Sequence, residues 1–308
     1  MDRSSNIVVA VPATTANFGS GFDSIGMALD LWNTLNVSVS KESRITVDGE
    51  GADILPNDKG NLVYQSIEAG CLRAGIEPPV LSIHSKNNIP LTRGLGSSAA
   101  AVVAGLLIAN HYASNALTNE DLLDVASKIE GHPDNVAPAL FGGARLVIKT
   151  EDNYLDRAIT MQEGLNCLIF VPNEILATSE SRSALPQEVP LESAVFNLSR
   201  TALTIRSLMM GEWEDLRIST EDRLHQDYRS KLSPNMESMI SVMKNHGAYG
   251  SFISGAGPSV IGFTSSEKVN DIKYRLEEHI KNHKIDGQIL VVAPSYKGAY
   301  ILGEEVGS

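Results

Sequence analysis

The stretch "PLTRGLGSSAAAVVAGLLIANHY", residues 90–112, sets Gly94, Gly96, Ser97 and Ser98 directly before a run of small apolar residues. The run from Ala99 to Ala109 is aliphatic, holds no proline and only one glycine, Gly105, and predicts a helix. The glycines before it let the backbone turn sharply and approach a ligand closely. The first amides of such a helix have no intrahelical partner and sit at the positive end of its dipole, so the pattern predicts an anion site. The competing reading is that Ser97 or Ser98 simply caps the helix.

Two other phosphate-binding patterns are tested by the same residues. A Walker loop needs glycine followed by lysine, and no glycine here has that neighbour. The dinucleotide fingerprint Gly-x-Gly-x-x-Ala matches Gly94 to Ala99, but it should follow a strand at once and lead to an acid on a second strand. Here "VLSIH" ends well before Gly94, Pro90 intervenes, and the next acids, Glu120 and Asp121, open the helical "TNEDLLDVASKIE".

The chain has 308 residues and a formal net charge of −12. The length suits one large or two moderate domains. The charge speaks against general binding to nucleic acid or anionic membrane, while leaving room for a local anion site. Cys71 and Cys167 are far apart in apolar surroundings and read as core thiols of a reducing compartment. The N-terminal segment lacks the apolar core of a signal peptide, and no run reaches the roughly 18 apolar residues of a membrane span. A cytoplasmic protein is expected.

Strand signals come first in "NIVVAV", "NTLNVSVS" and "RITVDG", then a helix in "NLVYQSIEAGCLRAGI", a strand in "PPVLSIHS", the Gly-Ser loop with its helix, and a strand in "ARLVIK". That order is α+β rather than alternating βαβ. From "NCLIFVPN" onward the pattern is a strand, helices over 191–218 and 234–246, a hairpin "GSFISGAGPSVIGFTS", a charged helix over 266–283, and closing strands "QILVVAPS" and "GAYIL". This second half reads as β-α-β-β-α-β, a ferredoxin-like order. The boundary falls in the polar 150–160 region, giving domains of 1–155 and 156–308.

"PLTRGLGSSAA" resembles the phosphate-binding motif of the GHMP kinases, Pro-x-x-x-Gly-Leu-Gly-Ser-Ser-Ala, and matches it from Pro90 through Ala99. "PATTANFGSGFDSIGMAL" (12–29) resembles the family's N-terminal substrate motif, and "SGAGPSVIGF" (254–263) its C-terminal glycine motif. The similarity therefore spans nearly the whole chain. It implies an α+β, two-domain GHMP kinase fold: an N-terminal domain like ribosomal protein S5 domain 2 and a C-terminal ferredoxin-like domain. Four strings, "NFGSGFDSIG", "EGHPDNVAPALFGG", "ATSESRSALP" and "HQDYR", are most similar to members that phosphorylate the amino-acid alcohol L-homoserine. The resemblance thus implies ATP- and Mg²⁺-dependent transfer to that small molecule, in threonine biosynthesis, with no nucleic-acid or membrane partner, and is compatible with a homodimer.

Residue by residue, the resemblance implies that ATP is held by Asn61 and by Pro90, Leu91, Thr92, Arg93, Gly94, Leu95, Gly96, Ser97, Ser98, Ala99 and Ala100. Ser98 and Glu130 would hold Mg²⁺, which prefers hard oxygen ligands. Asn61 read alone is equally a helix cap, Glu130 a surface acid, and Asp23 an Asx-turn. Within the resemblance Asp23 would pair with a substrate ammonium, Asn17 and Thr178 would contact substrate, and Arg182 with Arg229 would grip its carboxylate bidentately. "GHPDN" supplies His132, Asp134 and Asn135, as both catalytic and substrate-contacting candidates. Asp134 and Asn135 compete for the position of a general base. If the amide occupies it, catalysis rests on positioning and charge neutralisation.

The alternatives are a family member acting on a mevalonate-like, sugar or shikimate-like alcohol, or a non-catalytic binding protein on the same fold. Neither of the first group's needs would call for Asp23. His279 and His283 have a metal-ligand spacing but read as a solvated helix face, and no Gly-x-Ser-x-Gly elbow is present.

Overall fold

In the computed structural model, which describes residues 6–302, eleven strands and ten α-helices form two sheets with helices packed on them. The first sheet joins β1 (Ile7–Ala16), β2 (Ile25–Val39), β3 (Arg44–Gly49), β4 (Leu81–Asn87), β5 (Ala144–Lys149) and β6 (Tyr154–Ile159) with the last strand. Its central order is β11-β1-β2-β4-β3, β11 being Tyr300–Ile301, and β5 pairs β2 and β6. Only β3 and β4 run parallel. The second sheet is β10-β7-β9-β8, all antiparallel, from β7 (Asn166–Pro172), β8 (Gly250–Ile253), β9 (Val260–Thr264) and β10 (Gly287–Val292). That order is the ferredoxin-like one, as expected from the sequence. "GAYIL", expected to close the second half, instead contributes β11 to the first sheet.

Helices α1 (Leu62–Ala74), α2 (Ser97–Tyr112), α3 (Asn119–Glu130) and α4 (Val136–Phe141) cover the first sheet. The central α2 is buried on most of its surface, so a uniformly small apolar sequence replaces the usual two-faced pattern. Gly105 faces the backbone of α1: a Cβ there would lie 2.5 Å from the carbonyl oxygen of Val63. Helices α5 (Thr178–Ser183), α6 (Leu191–Met210), α7 (Leu216–Ser219), α8 (Gln226–Arg229), α9 (Asn235–Asn245) and α10 (Val269–His283) belong to the second half. The expected single helix over 191–218 is broken after Met210, where Gly211 takes a left-handed φ of 71°. The expected domain cut after residue 155 falls inside β6, so by sheet membership we place the division between β6 and β7.

Two features join the halves at the site. Phe18, at the bend after β1, packs against Phe252 and Phe263 of the second sheet, with ring centroids 5.4 Å apart in both cases. Burying such a ring contributes about 1.5–3 kcal/mol, which offsets the positive φ of Phe18, 46°. From the other side, Arg93 donates to the carbonyl oxygens of Leu91, Pro172 and Asn173, clamping the loop before α2 to the end of β7.

Among the described residues no helix is long and apolar enough to cross a membrane. Both cysteines are buried free thiols. Burial pushes Cys71 up to about 11 and Cys167 higher still, so neither is a nucleophile at neutral pH.

Candidate active site

The loop 90–96 opens onto a cavity of about 510 Å³ between the two halves. α2 begins at Ser97, its N-cap is Gly96 with φ of 70°, and no side chain caps it. The serine-cap reading therefore does not apply. The orphan amides of the first turn remain available beside a cavity that Gly96, Ser97 and Ser98 line. Glycine is required at Gly94 and Gly96: a Cβ would sit 2.1 Å from the carbonyl oxygen of Ser254 and 1.9 Å from Thr14 Oγ1 respectively. Ser254 Oγ donates to the carbonyl oxygen of Gly94 at 2.6 Å, so the C-terminal glycine motif braces the phosphate loop.

Ser98 Oγ donates directly to Glu130 Oε1. Glu130 ends α3, whose chain then turns at Gly131. Burial pushes the Glu130 carboxyl above its ordinary range, with the Ser98 hydrogen bond and the His132 charge working against that rise. A half-buried carboxylate beside a hydroxyl, without a cation at ion-pair distance among the described residues, is chemically suited to a hard divalent ion.

Beyond Gly131, His132 Nδ1 lies 3.0 Å from Asp134 Oδ1, and Asn135 Nδ2 donates to the same oxygen at 3.3 Å. Thr14 Oγ1 donates to Asn135 Oδ1 at 2.9 Å, tying the loop to β1. Asp134 is buried and its Oδ2 has no hydrogen-bond partner among the described residues. Burial pulls the His132 imidazole down, but the hydrogen bond and charge of Asp134, with the charge of Glu130, outweigh it and raise it above its usual value.

Another wall of the cavity is built on the bend after β1. Asn17 has φ of 74° and Asp23 of 55°; Asn17 Oδ1 accepts from the Asp23 amide at 2.9 Å, and Asn17 Nδ2 donates to the carbonyl oxygen of Gly255 at 2.9 Å. Arg182, from α5, forks onto Asp23 with bonds of 2.7 and 3.1 Å. Arg229, from α8, is only 2% exposed, and no carboxylate lies within ion-pair distance of it among the described residues. Its Nη1 donates to Gly255 oxygen at 2.8 Å and contacts His225 Nδ1 at 3.2 Å, while its Nε has no partner. Burial lowers its pKa to about 10, helped by the nearby Arg182. A buried guanidinium without a counter-ion, at the edge of a cavity, is a demand for an anion.

Residues 61–143 match the GHMP kinases N terminal domain and residues 200–282 the GHMP kinases C terminal family. The homoserine kinase of Desulfitobacterium hafniense is 38% identical over 96% of this chain and 99% of its own. That of Carboxydothermus hydrogenoformans is 40% identical over 95% and 96%. The chain belongs to the GHMP kinases. As a member it is a phosphotransferase. Among solved structures, the homoserine kinase from Cytophaga hutchinsonii superposes with a TM-score of 0.86 at 28% identity, covering 96% of this chain and 97% of that one. The L. major mevalonate kinase in complex with R-mevalonate shares the fold at a TM-score of 0.71 and 16% identity, over 92% and 95%.

In this GHMP kinase the cavity collects nearly every residue singled out in the sequence: Asn17, Asp23, Asn61, Leu91 to Ser98, Ala100, Glu130, His132, Asp134, Asn135, Thr178, Arg182 and Arg229. Pro90 and Ala99 do not line it. Ala99 is fully buried because the helical turn after Ser98 carries it into the core. Asn61 lines the cavity and is also the α1 cap, accepting from the Val63 amide at 3.0 Å. Sequence reasoning missed Gly255 and Ala256, although their motif was visible, and the apolar wall of Leu35, Ile45, Val47 and Leu55. The alternation of β2 and β3 carries Leu35, Ile45 and Val47, with Leu55 in the loop that follows, but alternation alone does not separate a cavity wall from core.

Proposed function

We propose that this kinase transfers the γ-phosphoryl group of ATP to the side-chain hydroxyl of L-homoserine, giving O-phospho-L-homoserine and ADP on the route to threonine. The observation that carries the substrate is Arg229, a buried guanidinium with no carboxylate partner, set beside Asp23 and Arg182 at one end of the cavity. A small amino-acid alcohol offers the carboxylate for Arg229 and the ammonium for Asp23. Mevalonate, galactose and shikimate lack the ammonium.

The nucleotide triphosphate lies along the open first turn of α2 and the glycine loop, with the base toward Asn61 and the apolar wall of β2 and β3. Ser98 and Glu130 are the residues that would hold Mg²⁺, which supplies charge neutralisation for the transferred phosphoryl group. Asn17 and Asn135 orient the substrate through amides already fixed by Gly255 and Thr14. Asp134 accepts the hydroxyl proton at Oδ2, with His132 and Asn135 holding its other oxygen. Two buried free thiols support a reducing, cytoplasmic setting.

The test is a coupled assay for ADP release across L-homoserine, mevalonate, galactose and shikimate. Homoserine should be turned over with by far the highest kcat/KM. Turnover of an ammonium-free alcohol with homoserine inert overturns the reading.

A further inference from the structure

The residues assigned above to opposite charges of the substrate are paired with each other. Asp23 and Arg182 form a two-bond ion pair, 2.7 and 3.1 Å long, with both side chains 35% exposed. The backbone that carries each partner is anchored, while among the described residues the side chains themselves are hydrogen-bonded only to each other. The Asp23 amide is bonded to Asn17 Oδ1, which is itself anchored through Nδ2 to Gly255. Arg182 rides on α5, whose Ser181 Oγ donates to the carbonyl oxygen of Ala256 at 2.7 Å. Arg229 lines the same cavity without a carboxylate at ion-pair distance among the described residues, so an unmet demand for an anion stands beside a satisfied pair.

We propose that the Asp23–Arg182 ion pair is a placeholder that a zwitterion exchanges with as a unit. The inference rests on the proposed amino-acid substrate. The incoming ammonium takes over Asp23 while the incoming carboxylate takes Arg182 together with Arg229. One positive and one negative group are replaced by one negative and one positive group, so no charge is orphaned. A ligand with a carboxylate alone can reach Arg229, but claiming Arg182 as well strands Asp23. A ligand with an ammonium alone strands Arg182 beside Arg229. Leaving a charge unpaired in a half-buried site is unfavourable, so the pair selects for ligands carrying both groups. Independent subsites would instead bind each half of the substrate with its own full affinity.

The two models differ in what happens when one partner is removed. Binding is measured by isothermal titration calorimetry with L-homoserine and two fragments. One is γ-hydroxybutyrate, which lacks the ammonium, and the other is n-propanolamine, which lacks the carboxylate. Asp23→Asn keeps a side chain that tolerates positive φ and frees Arg182. It should tighten γ-hydroxybutyrate about tenfold, the scale of one added charge-assisted hydrogen bond. Arg182→Gln frees Asp23 and should tighten n-propanolamine by a similar factor. Both variants should weaken L-homoserine. Glu180→Gln removes the same unit of charge from the exposed face of the helix that carries Arg182, outside the cavity lining and without touching the pair, and is the control for the general field. It should change γ-hydroxybutyrate affinity less than threefold. If neither fragment gains, or if Glu180→Gln matches the gain of Asp23→Asn, the placeholder is wrong and Asp23 and Arg182 are independent subsites. Failure of the wild type to bind L-homoserine at all is a separate result, which removes the substrate assignment itself.

Discussion

Nδ1 of His225 lies 3.2 Å from Nη1 of Arg229, and that contact fixes where the imidazole keeps its proton. A guanidinium only donates, so Nδ1 must accept, and Nε2 carries the hydrogen that reaches the Gly19 carbonyl oxygen at 2.7 Å. The buried ring is therefore neutral and holds Arg229 from behind. Burial also lowers its pKa below the ordinary histidine value, against the opposing charge of Asp222. The folded protein thus resists protonating a group that the unfolded chain protonates near pH ~6.5. Stability should fall as pH drops below that value toward the lowered folded pKa. His225→Gln should lack this part of the pH dependence and should raise the KM for homoserine more than it changes kcat. Denaturant titrations of both proteins from pH 7 down to about 5 check the slope. Parallel slopes would mean that His225 does not titrate in this way.

Arg229→Ala should weaken kcat/KM for homoserine by about 1.5–3 kcal/mol, the scale of a hydrogen bond to a charged group. The ATP KM should change less, because among the described residues Arg229 bonds His225 and the Gly255 carbonyl oxygen and makes no hydrogen bond to the glycine loop. Arg182→Lys retains the charge but loses the two-bond fork to Asp23, so it should also reduce homoserine use. Steady-state kinetics with each substrate varied separately gives the answer. Equal changes in both KM values would point to loss of structure rather than of a carboxylate grip.

Glu130 carries opposite expectations for activity and stability. Desolvation holds its half-buried carboxyl above the ordinary carboxylate range. Glu130→Gln should therefore leave metal-free stability equal or slightly higher, while lowering kcat and shifting the Mg²⁺ requirement upward. Thermal unfolding without metal, beside an Mg²⁺ titration of activity, separates the two effects. A protein that melts early would make Glu130 a structural acid instead.

How much of this was readable in the residues differs from element to element. The glycine loop and α2 were readable because glycine spacing and helix-forming composition act locally. β6 was not: "YLDRAI" is a largely exposed strand whose adjacent charges, Asp156 and Arg157, break the apolar alternation, and it resembles a polar connection until β5 pairs with it. β11 was assigned to the wrong sheet because its partner, β1, lies at the other end of the chain. The site residues were found through motifs, and their convergence lay beyond any local signal. Asp23 and Arg182 are 159 positions apart, and nothing in either neighbourhood announces that they bind each other. Arg93 sits in the middle of the phosphate motif, yet its guanidinium is committed to three carbonyl oxygens.

Gly96 and Gly75 make a matched pair for separating backbone strain from close approach. Both have φ of 70°, but a Cβ on Gly75 meets nothing within 4 Å, while one on Gly96 lands 1.9 Å from Thr14 Oγ1. Gly75→Ala should destabilise by about 1–2 kcal/mol, the left-handed backbone penalty alone, and leave ATP kinetics intact. Gly96→Ala should destabilise more and raise the ATP KM sharply, because Thr14 or the helix start must move. Comparing denaturation midpoints and ATP KM of the two variants tests this. Similar ATP kinetics in both would show that the α2 start tolerates displacement.

Asp134→Asn addresses the fate of the hydroxyl proton. The carboxylate is buried, is paired with no arginine, and is held on one oxygen by His132 and Asn135. Asparagine keeps the shape and can still accept at its oxygen, so the fold and the loop should survive, with the His132 contact the part most altered. What it cannot do is take up a proton usefully at neutral pH. A general base typically contributes ~10²–10⁴-fold, so kcat should fall within that range while homoserine and ATP binding change little. His132 supplies an internal check. Its raised pKa comes largely from Asp134, so removing that charge should bring the imidazole back down, a shift that NMR titration of the ring can follow. If the imidazole shifts as expected but kcat drops only a few-fold, the proton leaves without a base. Positioning by the "GHPDN" loop and neutralisation around Ser98 and Glu130 would then account for the chemistry.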